Sequence, residues 1–541
     1  MIVISVFATI APIPVNYTST ESRFRVGDLN FTCILPNGSS CLETIAETIK
    51  FYKPLIYPAG APIEEKKALT QFKLYLTTTN LPIDFRQMNE TYSITVNNSV
   101  IAAEAHDPFG AARVFATLCQ MVEPDFQAGI YFIQESKVWD KPAFPYRAVQ
   151  VDSSRHFLPI STLKRQVAAL SIAKMSVLHL HESDSQSFPM KTDTAPGSNF
   201  YKGSWKTGGE LYYHTLKDMK ELATYAKNLG VYLMLEFDMP GHADSWRRSG
   251  DNINCACGDV INPTLELTYD YIKSYMQDIF NTIYKPFGFT PLIHLGGDEV
   301  NHWCFKDDPK VKGYMEQNNL DERGIQQMLH NRVIKIIDNL TNEMYPERNN
   351  TQFRFYWQEA FSNGNNMENG GVVHSWMHSY VIKEAANKNY FSIRSQGWYL
   401  DVNQPGGNQE IFVDSWKDFY KVNPAEGLDE KQRLLCLGGG GCQWGEKVHD
   451  GNIDEQIWPR SLAISEVLWS NPKDTTITQK LKVRLNNLTC KLRSAGTSSG
   501  ALIPSAPCPG VDSIPNKKRL DNWRQQDTFE QSDEKEGWGN R

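Results

Sequence analysis

Residues 214–238, HTLKDMKELATYAKNLGVYLMLEFD, contain a plausible helix followed at once by the apolar strand candidate VYLMLEFD, 231–238. Strand candidates and helix-sized segments alternate in this way from Arg147 onwards, and such alternation predicts a parallel sheet. Seven further strand candidates complete a set of eight: RAVQVDSS (147–154), SVLHLHESD (176–184), PLIHLGGDE (291–299), FRFYWQE (353–359), GVVHSWM (371–377), YFSIRSQGW (390–398) and LLCLGGGG (434–441).

The number of strand candidates decides the predicted architecture. Eight alternations over roughly 320 residues predict a (β/α)8 TIM barrel of the α/β class, and a doubly wound open sheet is the alternative. In a TIM barrel, the side chains that act on a substrate lie at the carboxyl ends of the strands. Polar residues cluster at these predicted ends, namely Asp152 to His156, Asp184, Asp238, Asp298, Glu299, Trp376, Tyr399, Asp401 and Glu446.

The chain ahead of the barrel has a different pattern. Strand-like alternation occurs in KLYLTTTN (73–80) and in YSITVNNSVIAAEA (92–105), and helical spacing follows a cap at Asp107. These elements predict a smaller α+β domain. We therefore divide the chain into a candidate signal peptide or N-terminal segment over 1–21, the α+β domain over 22–140, the catalytic barrel over 141–508, and a C-terminal tail over 509–541 to which we attach no function.

Composition excludes several classes of protein. The 541 residues carry a formal charge of −7, with 22% charged and 11% aromatic side chains, which are ordinary globular values rather than those of a disordered chain. The mild acidity argues against non-specific binding to nucleic acid or to anionic membranes. After the N-terminus no stretch has 18 apolar residues, so no transmembrane helix is expected.

Two features point to the secretory pathway. The segment MIVISVFATIAPIPV resembles the apolar region of a signal peptide, although it lacks a basic leader and a buried first strand is the alternative. Ten cysteines are an even number, which permits disulfides without proving them. Eight Asn-x-Ser/Thr sequons exceed what chance gives, and they make glycosylation candidates of Asn16, Asn30, Asn37, Asn89, Asn97, Asn339, Asn349 and Asn487.

The sharpest motif is LIHLGGDEV, residues 292–300, in which a strand runs through two glycines into adjacent carboxylates, Asp298 and Glu299. Two neighbouring carboxylates in a partly buried site do not both ionise easily, so one pKa should rise and the other fall. This supplies one protonated donor and one charged stabiliser, which is what general-acid chemistry at an acetal needs. A helix N-terminus that favours acidic residues is the alternative.

Seven motifs together resemble the family 20 glycoside hydrolases, the β-N-acetylhexosaminidases, and are most similar to the eukaryotic lysosomal or secreted type. The resemblance extends over residues 22–508, and the order of the motifs makes it specific. The motifs are VDSSRHFLP (151–159), HESDSQSFP (181–189), EFDMPGHADSW (236–246), HLGGDEV (294–300), YWQEAF (356–361), WYLD (398–401) and CQWGE (442–446).

The resemblance implies hydrolysis with retention and without a cofactor. Glu299 would protonate the glycosidic oxygen, and Asp298 would orient the substrate's 2-acetamido group. The acetamido oxygen would attack C1 and form an oxazolinium ion, a substrate-assisted exception among retaining glycosidases. An internal nucleophile with an effective molarity near 10⁵ M corresponds to roughly 7 kcal/mol of barrier, so no enzyme nucleophile is needed.

The resemblance also implies roles for the other residues of the site. Tyr399 would bind the acetamido oxygen, and Trp357, Trp376 and Trp444 would surround the N-acetyl group and the ring. Arg155, Asp401 and Glu446 would bind ring hydroxyls, and Asp184 with His242 would form a relay to Glu299. The structural alternatives are a salt bridge for Arg155, a turn cap for His242 and core positions for the tryptophans.

Asp401 leads to a prediction about specificity. Relatives that accept sulfated sugars have an uncharged residue and then a base at the position of Asp401 and Val402. A carboxylate here should repel a 6-sulfate and accept a hydrogen bond from a neutral 6-hydroxyl. We therefore expect a preference for neutral N-acetylglucosamine or N-acetylgalactosamine ends.

Metal and nucleotide sites are not expected. His179 and His181 have metal-like spacing but lie on one predicted barrel strand and should face inward together. The glycine run 438–441 lacks the Lys-Ser/Thr of a phosphate loop, and we expect it to leave its loop less constrained. A bridge from Cys255 or Cys257 to Cys304 would brace the loop beside Glu299, and the family resemblance suggests Cys490–Cys508 and Cys33–Cys41.

Two other functions remain open at this point. One is a secreted carbohydrate-binding or adhesion protein on an inactive barrel, and the other is an endo-acting chitinase, which predicts an open groove. The favoured interpretation is an exo-acting enzyme that acts on glycan termini, such as those of chitobiose, N-glycans or glycolipids. The family resemblance further implies a homodimer and a lysosomal, granule or extracellular destination.

Overall fold

The N-terminal domain is built on one mixed six-stranded sheet, in the order β1-β2-β4-β3-β6-β5. The strands are β1 (Asn16–Ile34), β2 (Leu69–Leu76), β3 (Tyr92–Val96), β4 (Ile101–Ala105), β5 (Glu123–Asp125) and β6 (Ile130–Asp140). The computed structural model describes residues 10–60, 62, 67–82, 84–126, 128–285, 292–346, 353–368, 370–401, 415–503, 507–508 and 511.

Two helices, α1 (Ala46–Ile56) and α2 (Pro108–Met121), belong to the N-terminal domain. Asp107 begins α2 as predicted, because its carboxylate accepts hydrogen bonds from the amides of Phe109 and Gly110 and satisfies donors that a helix start leaves open. The run predicted at 73–80 overlaps the second half of β2 (Leu69–Leu76), and the run predicted at 92–105 forms the β3–β4 hairpin.

The predicted boundary at residue 22 falls inside β1, which begins at Asn16. Ala11 is buried, and its backbone exchanges hydrogen bonds with the side-chain amide of Gln120 on α2 at 2.9 Å in both directions. The folded part of the chain therefore includes residues from Ile10 onwards. Residues 1–9, most of the tail over 509–541, and the sequon residue Asn349 lie outside the described residues.

The barrel is closed, and all eight predicted strand segments contribute to it, so the open-sheet alternative is wrong. Neighbouring strands are parallel throughout. Its strands are β7 (Tyr146–Asp152), β8 (Val177–His181), β13 (Tyr232–Glu236), β14 (Leu292–His294), β15 (Phe353–Trp357), β16 (Gly371–Ser375), β17 (Phe391–Arg394) and β18 (Cys436–Gln443); the short strands β9 (Met190–Lys191), β10 (Lys206–Thr207), β11 (Glu210–Leu211) and β12 (His214–Thr215) lie between β8 and β13.

Helices follow the barrel strands. Helix α4 begins with a capping box, because the Thr215 side chain accepts from the amide of Asp218 while the Asp218 carboxylate accepts from the amide of Thr215. The helices are α3 (Ile160–Ile172), α4 (Leu216–Asn228), α5 (Asp244–Arg247), α6 (Glu266–Ile279), α7 (Trp303–Asp307), α8 (Pro309–Asn318), α9 (Glu322–Met344), α10 (Gln358–Ser362), α11 (Tyr380–Asn387), α12 (Ser415–Phe419), α13 (Ile453–Ile457), α14 (Ser461–Ser470) and α15 (Gln479–Ser494). No described helix has the length and apolar character to cross a membrane.

The glycine run 438–441 lies within β18, and the expectation that it loosens a loop is wrong. A Cβ atom on Gly439 would lie 2.0 Å from the carbonyl oxygen of Arg394, and one on Gly440 would lie 2.6 Å from that of Ala148. Neighbouring strands thus approach β18 too closely for side chains. The run is buried and serves strand packing.

Three disulfides are formed: Cys33–Cys41, Cys257–Cys304 and Cys490–Cys508. Cys255 remains a buried free thiol, so Cys257 is the partner of Cys304. The bridge joins the segment after α5 to the start of α7, the helix that follows Glu299. Seven sequon asparagines fall within the described residues and none is buried.

A buried carboxylate joins the two domains. Glu90 lies just before β3, and its side chain accepts hydrogen bonds from Arg113 of α2 at 2.7 Å and from Arg147 of β7 at 2.8 Å. Burial alone would raise the pKa of Glu90, but Arg147 and Arg113 hold it below its ordinary value. The stabilisation from this charge is present above the unfolded-state pKa and is lost as the pH falls through the folded-state pKa.

We expect Glu90→Gln to lower the free energy of unfolding by about 3–5 kcal/mol at neutral pH, because it leaves two buried guanidinium groups without their anion. Urea denaturation followed by tryptophan fluorescence measures this change. Glu104→Gln is the matched control, because Glu104 is exposed on the same sheet. Equal stability of the two variants would contradict an interdomain role for Glu90.

Candidate active site

The carboxyl ends of the barrel strands enclose a cavity of about 420 Å³, within the usual range for a small-ligand site. Ten of the eleven residues predicted for the site line it, and the eleventh, Asp184, lies buried beneath it. The lining residues are Arg155, His242, Asp298, Glu299, Trp357, Trp376, Tyr399, Asp401, Trp444, Glu446 and Lys447.

The turn after β14 explains how the two adjacent carboxylates reach the cavity. Gly296 has φ +63°, and a Cβ atom there would lie 1.8 Å from a carboxylate oxygen of Asp238. Only glycine allows this approach. Glu299 and His242 are non-glycine residues with φ of +45° and +53°. Such conformations cost free energy and are typical of functional sites, where the surrounding structure holds them in place.

Asp298 is nearly buried and is paired with Asp238. Burial and the charge of Asp298 raise the pKa of Asp238 well above its ordinary value, and burial also raises that of Asp298. The amide of Gly297 donates to Asp238 at 2.9 Å. Carboxylate oxygens of Asp238 and Asp298 lie within 4.8 Å of each other, and two buried carboxylates at this separation favour one shared proton. Asp298 can then remain an anion beside a protonated neighbour.

Glu299 is 60% exposed, and its nearest charged neighbour is His242, whose Nε2 lies 3.5 Å from Oε2 of Glu299. The contact with His242 lowers the pKa of Glu299, and burial opposes this only partly. The directions at the adjacent pair are therefore the reverse of those that the predicted roles need: Asp298 is raised and Glu299 is lowered. The cause is position, since Asp298 is buried and Glu299 faces solvent next to an imidazolium.

The two predicted relay residues, His242 and Asp184, lie one after the other in space behind Glu299. Nδ1 of His242 lies 3.4 Å from Oδ2 of Asp184. Burial would lower the pKa of His242, but Asp184 and Glu299 raise it far above the ordinary value, so this histidine carries a positive charge. Although burial raises the pKa of Asp184, hydrogen bonds from His181 and His242 hold it well below its ordinary range.

Arg155 lines the cavity, and two buried carboxylates beneath the cavity hold its guanidinium in place. Its guanidinium contacts Asp184 at 2.7 Å and Asp152 at 3.0 Å, and it lies over the ring of Trp444 at 4.9 Å. Asp152 and Asp184, rather than Asp401 and Glu446, are thus its direct ionic partners. These contacts fix the direction of its remaining N–H groups.

Aromatic rings form the other walls. Trp376 and Tyr399 are stacked with centroids 6.0 Å apart, and Trp357 lies 5.7 Å from Trp444. The indole of Trp376 donates to Glu359 at 2.8 Å. Burial raises the pKa of Tyr399 far above its ordinary value, so its hydroxyl stays a neutral donor. This wall can enclose an apolar methyl group and hydrogen-bond a carbonyl oxygen.

The comparison with known proteins settles the family. Residues 144–472 match the model of the glycosyl hydrolase family 20 catalytic domain. The chain belongs to this family. The β-hexosaminidase subunit beta of Mus musculus is 33% identical over 76% of this chain and 75% of its own length, and β-hexosaminidase 1 of Arabidopsis thaliana is 32% identical over 78% and 74%.

Solved structures support the family 20 fold. An exo β-N-acetylglucosaminidase from Vibrio harveyi, in complex with N-acetylglucosamine, aligns with a TM-score of 0.75 at 19% identity, over 91% of this chain and 78% of that one. The family 20 β-N-acetylhexosaminidase of Streptomyces coelicolor aligns with a TM-score of 0.70 over 92% and 98%. The protein is therefore a glycoside hydrolase with a family 20 TIM barrel and a separate N-terminal domain.

Three residues of this family 20 site were not assigned from the sequence. Asp238 was placed at a strand end, but nothing in the sequence shows its pairing with Asp298. Glu359, in the motif YWQEAF, binds Trp376, and burial raises its pKa to about 7. Lys447 follows the last motif, CQWGE, and its appearance in the cavity depends on how the loop after β18 folds.

Within the described part of the chain, two groups have ligand atoms close enough to hold a metal: His179 with Glu236 and His294, and Asp238 with His242 and Asp298. In the first group, Glu236 already accepts from His179 at 2.7 Å and Nδ1 of His294 accepts from the Gly296 amide at 3.1 Å. In the second group, Asp238 is committed to the Gly297 amide and its carboxyl partner. Oδ2 of Asp238, Nε2 of His242 and Oδ1 of Asp298 nevertheless have no hydrogen-bond partner among the described residues, and the absence of a metal or cofactor stays a prediction.

Proposed function

We propose that the protein is an exo-β-N-acetylhexosaminidase that removes terminal β-linked N-acetylglucosamine or N-acetylgalactosamine with retention of configuration. The observation that carries this proposal is the meeting of Asp298, Glu299 and an aromatic wall in one cavity. An acetamido group fits this wall, because it combines an apolar methyl group with a carbonyl oxygen and an N–H. A cavity volume of about 420 Å³ favours a single terminal ring over the longer groove of an endo-acting enzyme.

The first step uses the substrate's own amide. Asp298, kept anionic by the proton on Asp238, accepts a hydrogen bond from the acetamido N–H, and Tyr399 donates to the acetamido oxygen. That oxygen attacks C1 and forms a C–O bond while the glycosidic C–O bond breaks and Glu299 gives its proton to the departing oxygen. Adjacent carboxylates suit this division of labour, since retaining enzymes that use a carboxylate nucleophile place the two groups about 5 Å apart across the bond.

The second step returns the enzyme to its starting state. Glu299, now an anion, removes a proton from water, the water oxygen bonds to C1, and the ring C–O bond of the oxazolinium breaks to restore the acetamide. A sugar seated in the cavity replaces solvent around Glu299, and loss of solvent raises the pKa of a carboxyl group. This offsets the effect of His242 and prepares Glu299 to begin as an acid.

Two measurements test the proposal. The protein should hydrolyse an aryl N-acetyl-β-glucosaminide and release p-nitrophenol, and proton NMR recorded early in the reaction should find the β-anomer of the free sugar first. Absence of cleavage would favour the rival function, a carbohydrate-binding protein on an inactive barrel. The α-anomer as first product would contradict retention.

We also propose that neutral sugars are preferred over 6-sulfated ones, because Asp401 lies on the cavity wall with one carboxylate oxygen that has no hydrogen-bond partner among the described residues. Burial and the charge of Glu446 raise the pKa of Asp401 to about 6. The carboxyl is therefore neutral below this pH and negative above it.

The ratio of kcat/KM for the neutral over the 6-sulfated substrate should rise about tenfold as the pH increases through 6. Like charges a few ångströms apart at a protein surface repel by more than the roughly 1.4 kcal/mol that a tenfold change requires. Asp401→Asn should remove the pH dependence of this ratio. A ratio that stays flat in the original protein would contradict the assignment.

The destination and assembly are further proposals. Sequon asparagines at the surface, disulfides and the named relatives support the secretory pathway, with a lysosomal, granule or extracellular end point. A homodimer is the expected assembly, and multi-angle light scattering of the purified protein at micromolar concentration tests it. Glycan termini, such as those of chitobiose, N-glycans and glycolipids, are the proposed substrates, and parallel digests of the three rank them.

A further inference from the structure

Glu236 ends β13 beneath the floor of the cavity and is fully buried. Its carboxylate accepts hydrogen bonds from the indole N–H of Trp357 at 2.6 Å and from Nε2 of His179 at 2.7 Å, and Nδ1 of His181 lies 3.1 Å from the same group. A buried carboxylate is expensive unless it is paired and hydrogen-bonded. The surroundings of Glu236 are built to hold a negative charge.

A continuous row of ionisable groups connects Glu236 with Glu299, and we call it the buried relay. The Nδ1 atom of His181 faces Glu236, and the Nε2 atom of the same ring lies 2.9 Å from Oδ2 of Asp184. Asp184 then contacts His242 at 3.4 Å, and His242 contacts Glu299 at 3.5 Å. Carboxylates and imidazoles alternate along the row, so each imidazole lies between two acids and can carry a proton on both nitrogens.

We infer that Glu236 is a positioning residue for Glu299: it keeps His181 as an imidazolium, which in turn holds Asp184 ionised and aimed at His242. This inference rests on the proposed role of Glu299 as the general acid. Glu236 touches no substrate, and it acts on the reacting proton only through the buried relay. The same carboxylate fixes the indole of Trp357, so one buried charge organises both the relay and a wall of the acetamido site.

The charges around Glu236 support this assignment. Burial alone would lower the pKa of His181, but Glu236 and Asp184 raise it well above the ordinary value. Burial lowers the pKa of His179 to about 4 and that of His374 far below its ordinary value, so both are neutral neighbours. The remaining charged or titratable groups that face Glu236 are His294 on β14 and, further away, Asp238 after β13 and Asp152 at the end of β7.

Removing the charge of Glu236 should change the protonation of the buried relay. Without that anion, burial outweighs the remaining attraction of Asp184, and His181 loses its proton. Along the relay, the positively charged His181 lies closer to Glu299 than the negatively charged Glu236. Loss of both charges therefore makes the surroundings of Glu299 more negative, and a more negative environment raises the pKa of a carboxyl group.

The experiment compares Glu236→Gln with the original protein on chitobiose, whose leaving sugar needs a proton, across the pH range. We expect kcat to fall about 10- to 100-fold, as for a displaced catalytic group, and the alkaline limb of the kcat/KM profile to move to higher pH by about 0.5 unit or more. Glu236→Asp, which keeps the charge, should restore the position of the limb. His179→Gln is the matched control, because it removes another buried partner of Glu236 and leaves the contact with His181; its limb should stay in place.

An unmoved limb, or a limb that moves to lower pH, in a folded Glu236→Gln protein would overturn the inference. Circular dichroism and thermal denaturation show whether the variant is folded. If Glu236→Gln does not fold, His181→Gln tests the same contact by changing its other partner. Failure of the proposed function looks different: the original protein would then release no p-nitrophenol from the aryl substrate, or Glu299→Gln would leave the rate on chitobiose unchanged.

Discussion

A substrate with a hydroxyl or a free amine at C2 in place of the acetamide will be hydrolysed about 10⁵-fold more slowly than the matching N-acetyl-β-glucosaminide, because an internal nucleophile with an effective molarity near 10⁵ M is lost. Neither Asp298 nor Glu299 replaces it. Asp298 faces Asp238 in a buried pair, and Glu299 is committed to the departing oxygen. The measurement compares kcat/KM for the aryl glucoside, glucosaminide and N-acetylglucosaminide.

A series of substrates with increasingly fluorinated acetamide groups separates nucleophilic attack by the acetamide from its role in binding. Successive fluorine atoms on the acetamide methyl withdraw electrons from the carbonyl oxygen and change the size of the group only slightly. The rate should therefore fall stepwise from acetyl to trifluoroacetyl, while binding to the aromatic wall is retained. Equal rates for the glucoside and the N-acetyl substrate would contradict substrate assistance, and a rate that ignores fluorination would assign the acetamide to binding alone.

Much of this site could be predicted because a barrel converts sequence position into spatial position. Every strand in a parallel barrel ends at the same face, so carboxylates and aromatic residues at predicted strand ends had to meet at one mouth. Asp298, Tyr399 and Trp444 come from three strand ends far apart in sequence and line one cavity. The strands themselves were recognisable because both faces of a barrel strand are buried, which makes long apolar runs.

The electrostatic details were not predictable, since they depend on distances and burial that the sequence does not encode locally. Burial raises the pKa of Asp298, and His242, a residue of a different strand end, lowers that of Glu299. The choice of Cys257 over Cys255 depends on which thiol the turn directs towards Cys304. The glycine run 438–441 was included in a predicted strand but was also expected to loosen its loop, because close approach between neighbouring strands has no signature in the run itself.

The second large effect concerns the proton donor. Glu299→Gln should lower kcat about 10²- to 10⁴-fold on an N-acetylglucosaminide whose leaving group needs protonation, which is the usual contribution of general acid catalysis. A glutamine has nearly the same shape and keeps a hydrogen-bond donor, so the affinity for a bound sugar product should change little. Glu316→Gln on α8 is the matched control, because Glu316 is exposed and outside the cavity.

Leaving-group dependence distinguishes a lost acid from a damaged pocket. A dinitrophenolate departs without a proton, so Glu299→Gln should slow the dinitrophenyl substrate far less than the chitobiose disaccharide.

The pH dependence of kcat/KM is a second, independent test of the acid. Glu299 must be protonated to act, so the original kcat/KM falls as the pH rises through its pKa, which His242 holds below the ordinary value. This alkaline limb should vanish on the dinitrophenyl substrate in Glu299→Gln, since no titrating acid remains. An equal loss on both substrates would instead assign Glu299 to binding, and the acid would then have to be another group that faces the cavity.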